Sequence, residues 1–187
     1  MLPLAGFVLI HLASYGRAAF GVTELGSRHA PSPFVLVGEA LGVWLPLGFH
    51  AAYALPLWLR RRQGPTATGD RAWLALHRLT GAVLGLFLVD HFVRFRLPIL
   101  AGERYPAESL QALAAELSRT VAGLPLVAGL HALGTLALSF HLGYGLWRVA
   151  ERHVPSESRR RARMACLTIG GVFAVVGTLT VVRLATG

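Results

Sequence analysis

The chain has 187 residues, 54% of them hydrophobic and only 14% charged, a balance too apolar for an ordinary soluble domain and suited to a polytopic membrane protein. Its net charge of +9 comes from 18 basic residues, every one an arginine. Most of these fall in short loops between apolar runs, the positive-inside pattern of a membrane protein, which excludes nucleic acid as the expected partner.

Five apolar stretches reach the roughly 20 residues that a helix needs to cross a hydrocarbon core. The first, about 2–22, opens on MLPLAGFVLIHL; it lacks a basic leader and a small-residue cleavage site, so it reads as a retained span and not a signal peptide. It carries His11 in FVLIHLASY and Arg17 near its end. The loop 23–33 holds Glu24, Arg28 and His29. The second span, about 34–59, has Glu39 near its start and His50 in LPLGFHAAY, and RRRQGPTATGDRA follows at 60–72.

The third span, about 73–98, opens with His77 and Arg78 and continues to Asp90, His91 and Arg94 in FLVDHFVRF. Residues 103–119, ERYPAESLQALAAELSR, predict a short amphipathic helix lying at a membrane surface. The fourth span, about 121–149, contains His131, His141 in LSFHLGYGLW, and Arg148. The polar stretch AERHVPSESRRRAR at 150–163 includes Arg152 and His153, and the fifth span, about 164–185, has no histidine. No internal repeat or low-complexity tract interrupts the chain, which reads as one all-α domain.

Arginine counts set the expected topology. Five arginines lie between Arg60 and Arg78 and six between Arg148 and Arg163, against three (Arg28, Arg104, Arg119) in the two opposite loops. That bias places the Arg-rich loops and the N-terminus in the cytoplasm and the C-terminus outside, in an inner (cytoplasmic) membrane.

Against this frame the histidines sort by depth. His50 lies nine residues before the inner end of its span and His141 eight before the inner end of its own, so both sit roughly 12–14 Å from the cytoplasmic edge at about 1.5 Å per residue. His11 and His91 fall in the outer half. An ionisable residue inside a span is costly and marks function by default. Four of them, one in each of four spans at matched depths, point to two pairs of axial ligands holding haems within a bundle. His131 competes for the outer pair. His77 reads as a polar residue of the inner interface, and His29 and His153 as solvated loop residues.

Cys166 is the only cysteine and there is no C-x-x-C-H motif, so haem would be held non-covalently, as b-type, and any iron–sulfur cluster would belong to another subunit. Gly145, one turn after His141, and Ala54, one turn after His50, are small residues beside a flat ligand. Arg148, Arg152 and Arg78 are candidate partners of inner haem propionates, and Arg17 and Arg94 of outer ones; topology and snorkelling are the competing roles. Glu39 and Glu24 are candidate proton donors to a quinone near the outer face. Asp90, about 100° round the helix from His91, faces another helix or supports the histidine.

The stretches PFVLVGEALGVWLPLGFHAAYALPLWL (33–59), LHRLTGAVLGLFLVDHF (76–92) and FHLGYGLWRV (140–149), with FVLIHLAS (7–14), resemble the cytochrome b membrane anchor of type B succinate:quinone oxidoreductases. This is the five-helix, two-haem subunit of succinate dehydrogenase or fumarate reductase. The resemblance implies that His11 and His91 hold the outer haem iron and His50 and His141 the inner one. It also implies a flavoprotein carrying FAD and an iron–sulfur subunit as partners, and a quinone, menaquinone, as electron acceptor. Succinate oxidation itself would take place outside this chain. Some members place a glutamate two residues before the fourth ligand; here that residue is Ser139, so the associated proton pathway is not expected. The alternatives are the cytochrome b subunit of a hydrogenase or formate dehydrogenase, and a haem-free transporter or scaffold.

Overall fold

A computed structural model describes residues 2–17, 29–59 and 68–186. They are almost entirely helical, with one isolated bridge, Val121 to Leu124, and no strand among the described residues. Helix α1 spans Leu2–Gly16. Helix α2 covers 33–59 and contains a π-helical turn at Ala40–Trp44; α3 covers 68–100 with a second π turn at Phe92–Arg96. A short α4, Ser109–Ser118, precedes the long α5, Leu126–Ala150, and α6, Arg159–Thr186.

Among the described residues, four helices are long and apolar enough to cross a membrane: Pro33–Pro56, Arg71–Leu100, Leu126–Ala150 and Ser156–Thr186. Their outward residues are large and apolar, among them Phe34, Phe49, Leu86, Leu133 and Val175, the surface that lipid covers and water would not. The described part of the first span is the 15-residue α1; the remainder of the expected 2–22 segment beyond residue 17 lies outside the described residues, as does Glu24.

Other boundaries differ from expectation for local reasons. Helix α2 starts at Pro33 because Ser32 caps it, its hydroxyl accepting from Val35 N at 3.3 Å, with proline at the first helical position, where the missing N–H costs nothing. Span IV begins at Leu126, five residues late. Residues 121–125 instead form a tight turn in which Ala122 and Gly123 take positive φ (52° and 76°), and Pro125 disfavours helix for Leu124 before it. Helix α6 starts five residues early, at Arg159, because the breakers Pro155 and Ser156 end just before it.

Small residues decide which helices touch. A Cβ on Gly170 would stand 2.6 Å from the Ser139 carbonyl oxygen, and one on Gly143 would stand 3.0 Å from the Cys166 carbonyl oxygen. The α5 and α6 backbones therefore cross in direct contact, the small-residue packing expected where lipid removes the hydrophobic drive. Gly134 of α5 receives the Phe87 ring of α3, and Gly177 of α6 receives Thr135 of α5. Gly16 fits α1 against Val176 of α6.

The helices thus form two layers, α1 with α2 and α3 with α5, and α6 packs along both α1 and α5. Between the layers, neither α1 with α3 nor α2 with α5 makes an extended backbone contact among the described residues. Segment 103–119 forms the expected short helix over Ser109–Ser118. Its helix α4 folds onto the ends of α3, α5 and α6, burying Leu113 and Leu117 in a cluster with Phe95 and Val181; Leu110 is buried too.

Candidate functional site

Two histidine pairs bridge the gap between the layers. His50 of α2 faces His141 of α5 with ring centroids 6.0 Å apart and planes at 84°. His11 of α1 faces His91 of α3 at 6.0 Å and 82°. These are the pairs expected from depth in the sequence. Two imidazoles bound to one metal through nitrogens at about 2.0 Å would put their centroids about 6.3 Å apart. Both gaps are within a few tenths of an ångström of that figure. Each pair also joins helices whose backbones make no extended contact among the described residues.

Around His50 and His141 the chain fixes the protonation of one ring. Nδ1 of His141 lies 3.1 Å from the backbone oxygen of His77. A carbonyl only accepts, so Nδ1 carries the proton and Nε2 keeps its lone pair, the tautomer a metal requires. The His77 ring stacks on His141 at 4.0 Å and 10°; Tyr144 lies tilted against His77 at 5.2 Å and itself stacks with Trp73 and Phe140. His77 is therefore more than an interfacial polar residue. Arg163 closes this end, its guanidinium 5.4 Å above the Trp73 ring, a cation–π contact. A small residue does sit against the His141 ring, on the facing helix: a Cβ on Gly81 would meet His141 Cε1 at 2.9 Å. A Cβ on Gly145 would stand 3.5 Å from His77 Cε1, and Ala54 is half-buried.

The outer pair lies beside the two π turns, which face each other: Trp44 packs edge-on to Phe92 at 5.0 Å. Such turns insert a residue into a helix and are common at functional sites. Glu39, expected as a proton donor, forms an ion pair with Arg96 between the turns. Arg96 was not legible as a site residue; only its place near the end of an apolar run distinguished it. Its Nε is buried without an acceptor.

Arg94 is already engaged: its Nε donates to both Asp90 oxygens at 2.8 and 2.9 Å and its NH1 to Glu116 of α4 at 3.2 Å, so two carboxylates neutralise it where a propionate partner was expected. Asp90 accordingly holds Arg94. Arg104 donates to the Arg94 carbonyl at 3.3 Å. At the inner end Arg148 pairs with Glu151 at 2.8 Å, Arg78 is half-buried, and Arg152 is exposed; Arg17 is exposed at the end of α1.

His131 is among the most buried polar residues, 4% exposed, with Nδ1 3.0 Å from the Val127 carbonyl and its ring 5.9 Å from that of His91. His153 is exposed in the turn after α5, and His29 is exposed before α2. Among the described residues no three of histidine, cysteine, aspartate or glutamate converge on a metal-sized point; haem iron takes only two protein ligands. Compared with known proteins, the chain matches no family model, no curated protein and no solved structure.

Proposed function

We propose that this chain is the membrane-anchor and electron-transfer subunit of a succinate dehydrogenase of the five-helix, two-haem kind. The observation that carries the reading is the pair of 6.0 Å histidine gaps, His11 with His91 and His50 with His141, each joining helices whose backbones make no extended contact among the described residues. The choice of succinate over another donor rests on the sequence resemblance. It pairs with a flavoprotein and an iron–sulfur subunit on the cytoplasmic side of the inner membrane, with α1 completing a fifth span.

Bound b-type haems would supply one-electron transfer between that partner and a quinone. The chain's own residues do the rest. The His77 carbonyl holds His141 in the metal-binding tautomer, and Gly81 leaves the ring space to turn. Arg78, Arg148 and Arg152 offer positive charge to inner propionates, and Arg17 to outer ones. At the outer end Glu39 holds an acid beside the unpaired Nε–H of Arg96, a proton source and a hydrogen-bond donor suited to a quinone carbonyl.

The test is a pyridine haemochrome assay on the chain purified with its partner subunits, followed by reduction with succinate. Two b haems per chain, both reduced by succinate, is the expected result. A haem-free chain overturns the reading in favour of a transporter or scaffold. Haems reduced by hydrogen or formate and not by succinate reassign it to another oxidoreductase.

A further inference from the structure

His91 and His131 carry complementary unmet needs. His91 Nδ1 is buried and has no hydrogen-bond partner. If its Nε2 serves as the ligand, as the proposed function requires, Nδ1 bears the proton and is a donor without an acceptor. His131 presents the opposite case. Its Nδ1 proton goes to the Val127 carbonyl, so Nε2 has only a lone pair to offer, and this nitrogen too is buried without a partner. Leaving a buried polar group unsatisfied is costly. The rings are 5.9 Å apart between centroids and inclined at 64°, a separation that a small ring rotation or one water closes.

We infer that His131 is a positioning residue for the outer site: its Nε2 accepts the hydrogen bond from His91 Nδ1–H and thereby fixes the tautomer and basicity of that ligand. This rests on the haem reading above. The surroundings of both rings assign His131 this part rather than that of a ligand. The 5.9 Å spacing alone would suit a metal between His91 and His131, but α3 and α5 pack closely, with Phe87 seated on Gly134 three residues beyond His131. Phe87 and Phe95 both contact the His131 ring, at 5.3 and 5.8 Å between centroids. No macrocycle fits between helices in that contact, whereas α1 and α3 stand apart. The outer site therefore mirrors the inner one, with an imidazole acceptor where His141 uses a backbone carbonyl.

An acceptor on Nδ1–H pushes electron density toward the metal and favours the oxidised state, so its loss raises the midpoint potential of one haem only. The experiment compares His131→Phe, His131→Gln and wild type in the purified complex, by redox-titrated absorption and low-temperature EPR. In His131→Phe both haems remain, and the outer one shows about a tenfold higher reduced-to-oxidised ratio at fixed potential, an upward shift of about 59 mV for one electron. The inner haem does not move. His131→Gln, whose amide oxygen accepts, returns most of the shift. Loss of the outer haem in His131→Phe together with its retention in His11→Ala would make His131 the ligand and overturn the inference. Unchanged potentials and EPR signals in a two-haem His131→Phe protein also overturn it, while leaving the haem reading intact. Absence of haem from wild type instead removes the function on which it rests.

Discussion

His141 donates its Nδ1 proton to the backbone carbonyl of His77 across 3.1 Å, while the two rings lie parallel at 4.0 Å. One residue on α3 thus fixes both the tautomer and the plane of a histidine on α5. The wall opposite is Gly81, one turn further along the same helix, where a single added carbon would stand 2.9 Å from the ring.

Gly81→Ala is therefore expected to displace the His141 ring and to lower inner-haem occupancy or shift its spectrum, leaving the outer haem unchanged. Gly85→Ala, one turn on and with open space around its Cβ, is the matched control and should behave as wild type. The check is haem content with potentiometric resolution of the two components. Equal effects at both positions would mean that Gly81 does not shape the ligand.

Both histidine pairs hold their planes close to perpendicular, at 82° and 84°. Perpendicular imidazoles donate into two different iron d orbitals and leave them nearly degenerate, so orbital momentum is poorly quenched. Both haems should then give highly anisotropic low-spin EPR signals in the oxidised protein. Rhombic signals typical of parallel planes would show that the rings rotate when haem enters.

The pairing of the histidines was legible in the sequence because depth follows from span length and from the arginine bias. Their supporting shell was less so. Gly81, the His77 carbonyl and the His131 acceptor all come from contacts between α3 and α5, and no single-helix pattern encodes which faces of two apolar helices meet. Arg94 shows the same limit: its partners Asp90 and Glu116 lie 4 and 22 residues away, and the second became visible only once α4 was folded onto the bundle. The π turns carry only an ambiguous mark in sequence: ALGVW contains Gly42 and a proline follows each turn two residues on, Pro46 and Pro98, signals that ordinary helix kinks share.

The α5–α6 crossing predicts a stability difference that is independent of haem. Gly170→Val forces a side chain against the Ser139 carbonyl, where even a Cβ would be at 2.6 Å. Overpacking of this kind costs about 1–3 kcal/mol. Gly171→Val, one residue round the helix into open space, should cost far less. Thermal unfolding in detergent, followed by helix signal, separates the two variants.

The eleven-to-three arginine bias predicts the topology. In a Cys166→Ala background, Gly102→Cys, in the turn before α4, should react with an impermeant thiol reagent added outside intact cells, and Ser156→Cys, between α5 and α6, should not. The reverse pattern would invert the inner and outer assignments of both histidine pairs.

The Glu39–Arg96 ion pair carries the last prediction. If it only joins the two π turns, either polarity should serve, and the exchange Glu39→Arg with Arg96→Glu should restore whatever the single changes lose. If Glu39 supplies a proton beside a quinone, orientation matters, because the acid and the unpaired Arg96 Nε–H occupy distinct places. Removing one positioned proton donor typically costs 10²- to 10⁴-fold in rate, and even a small share of that is measurable. Glu39→Gln keeps the shape and the hydrogen bond but not the proton. It should lower quinone reduction at least tenfold while succinate still reduces both haems at the wild-type rate, which places the defect after electron entry. The charge exchange should then fail to rescue. Slower haem reduction in Glu39→Gln, or full rescue by the exchange, would assign the pair to holding α2 against α3 and move the quinone elsewhere.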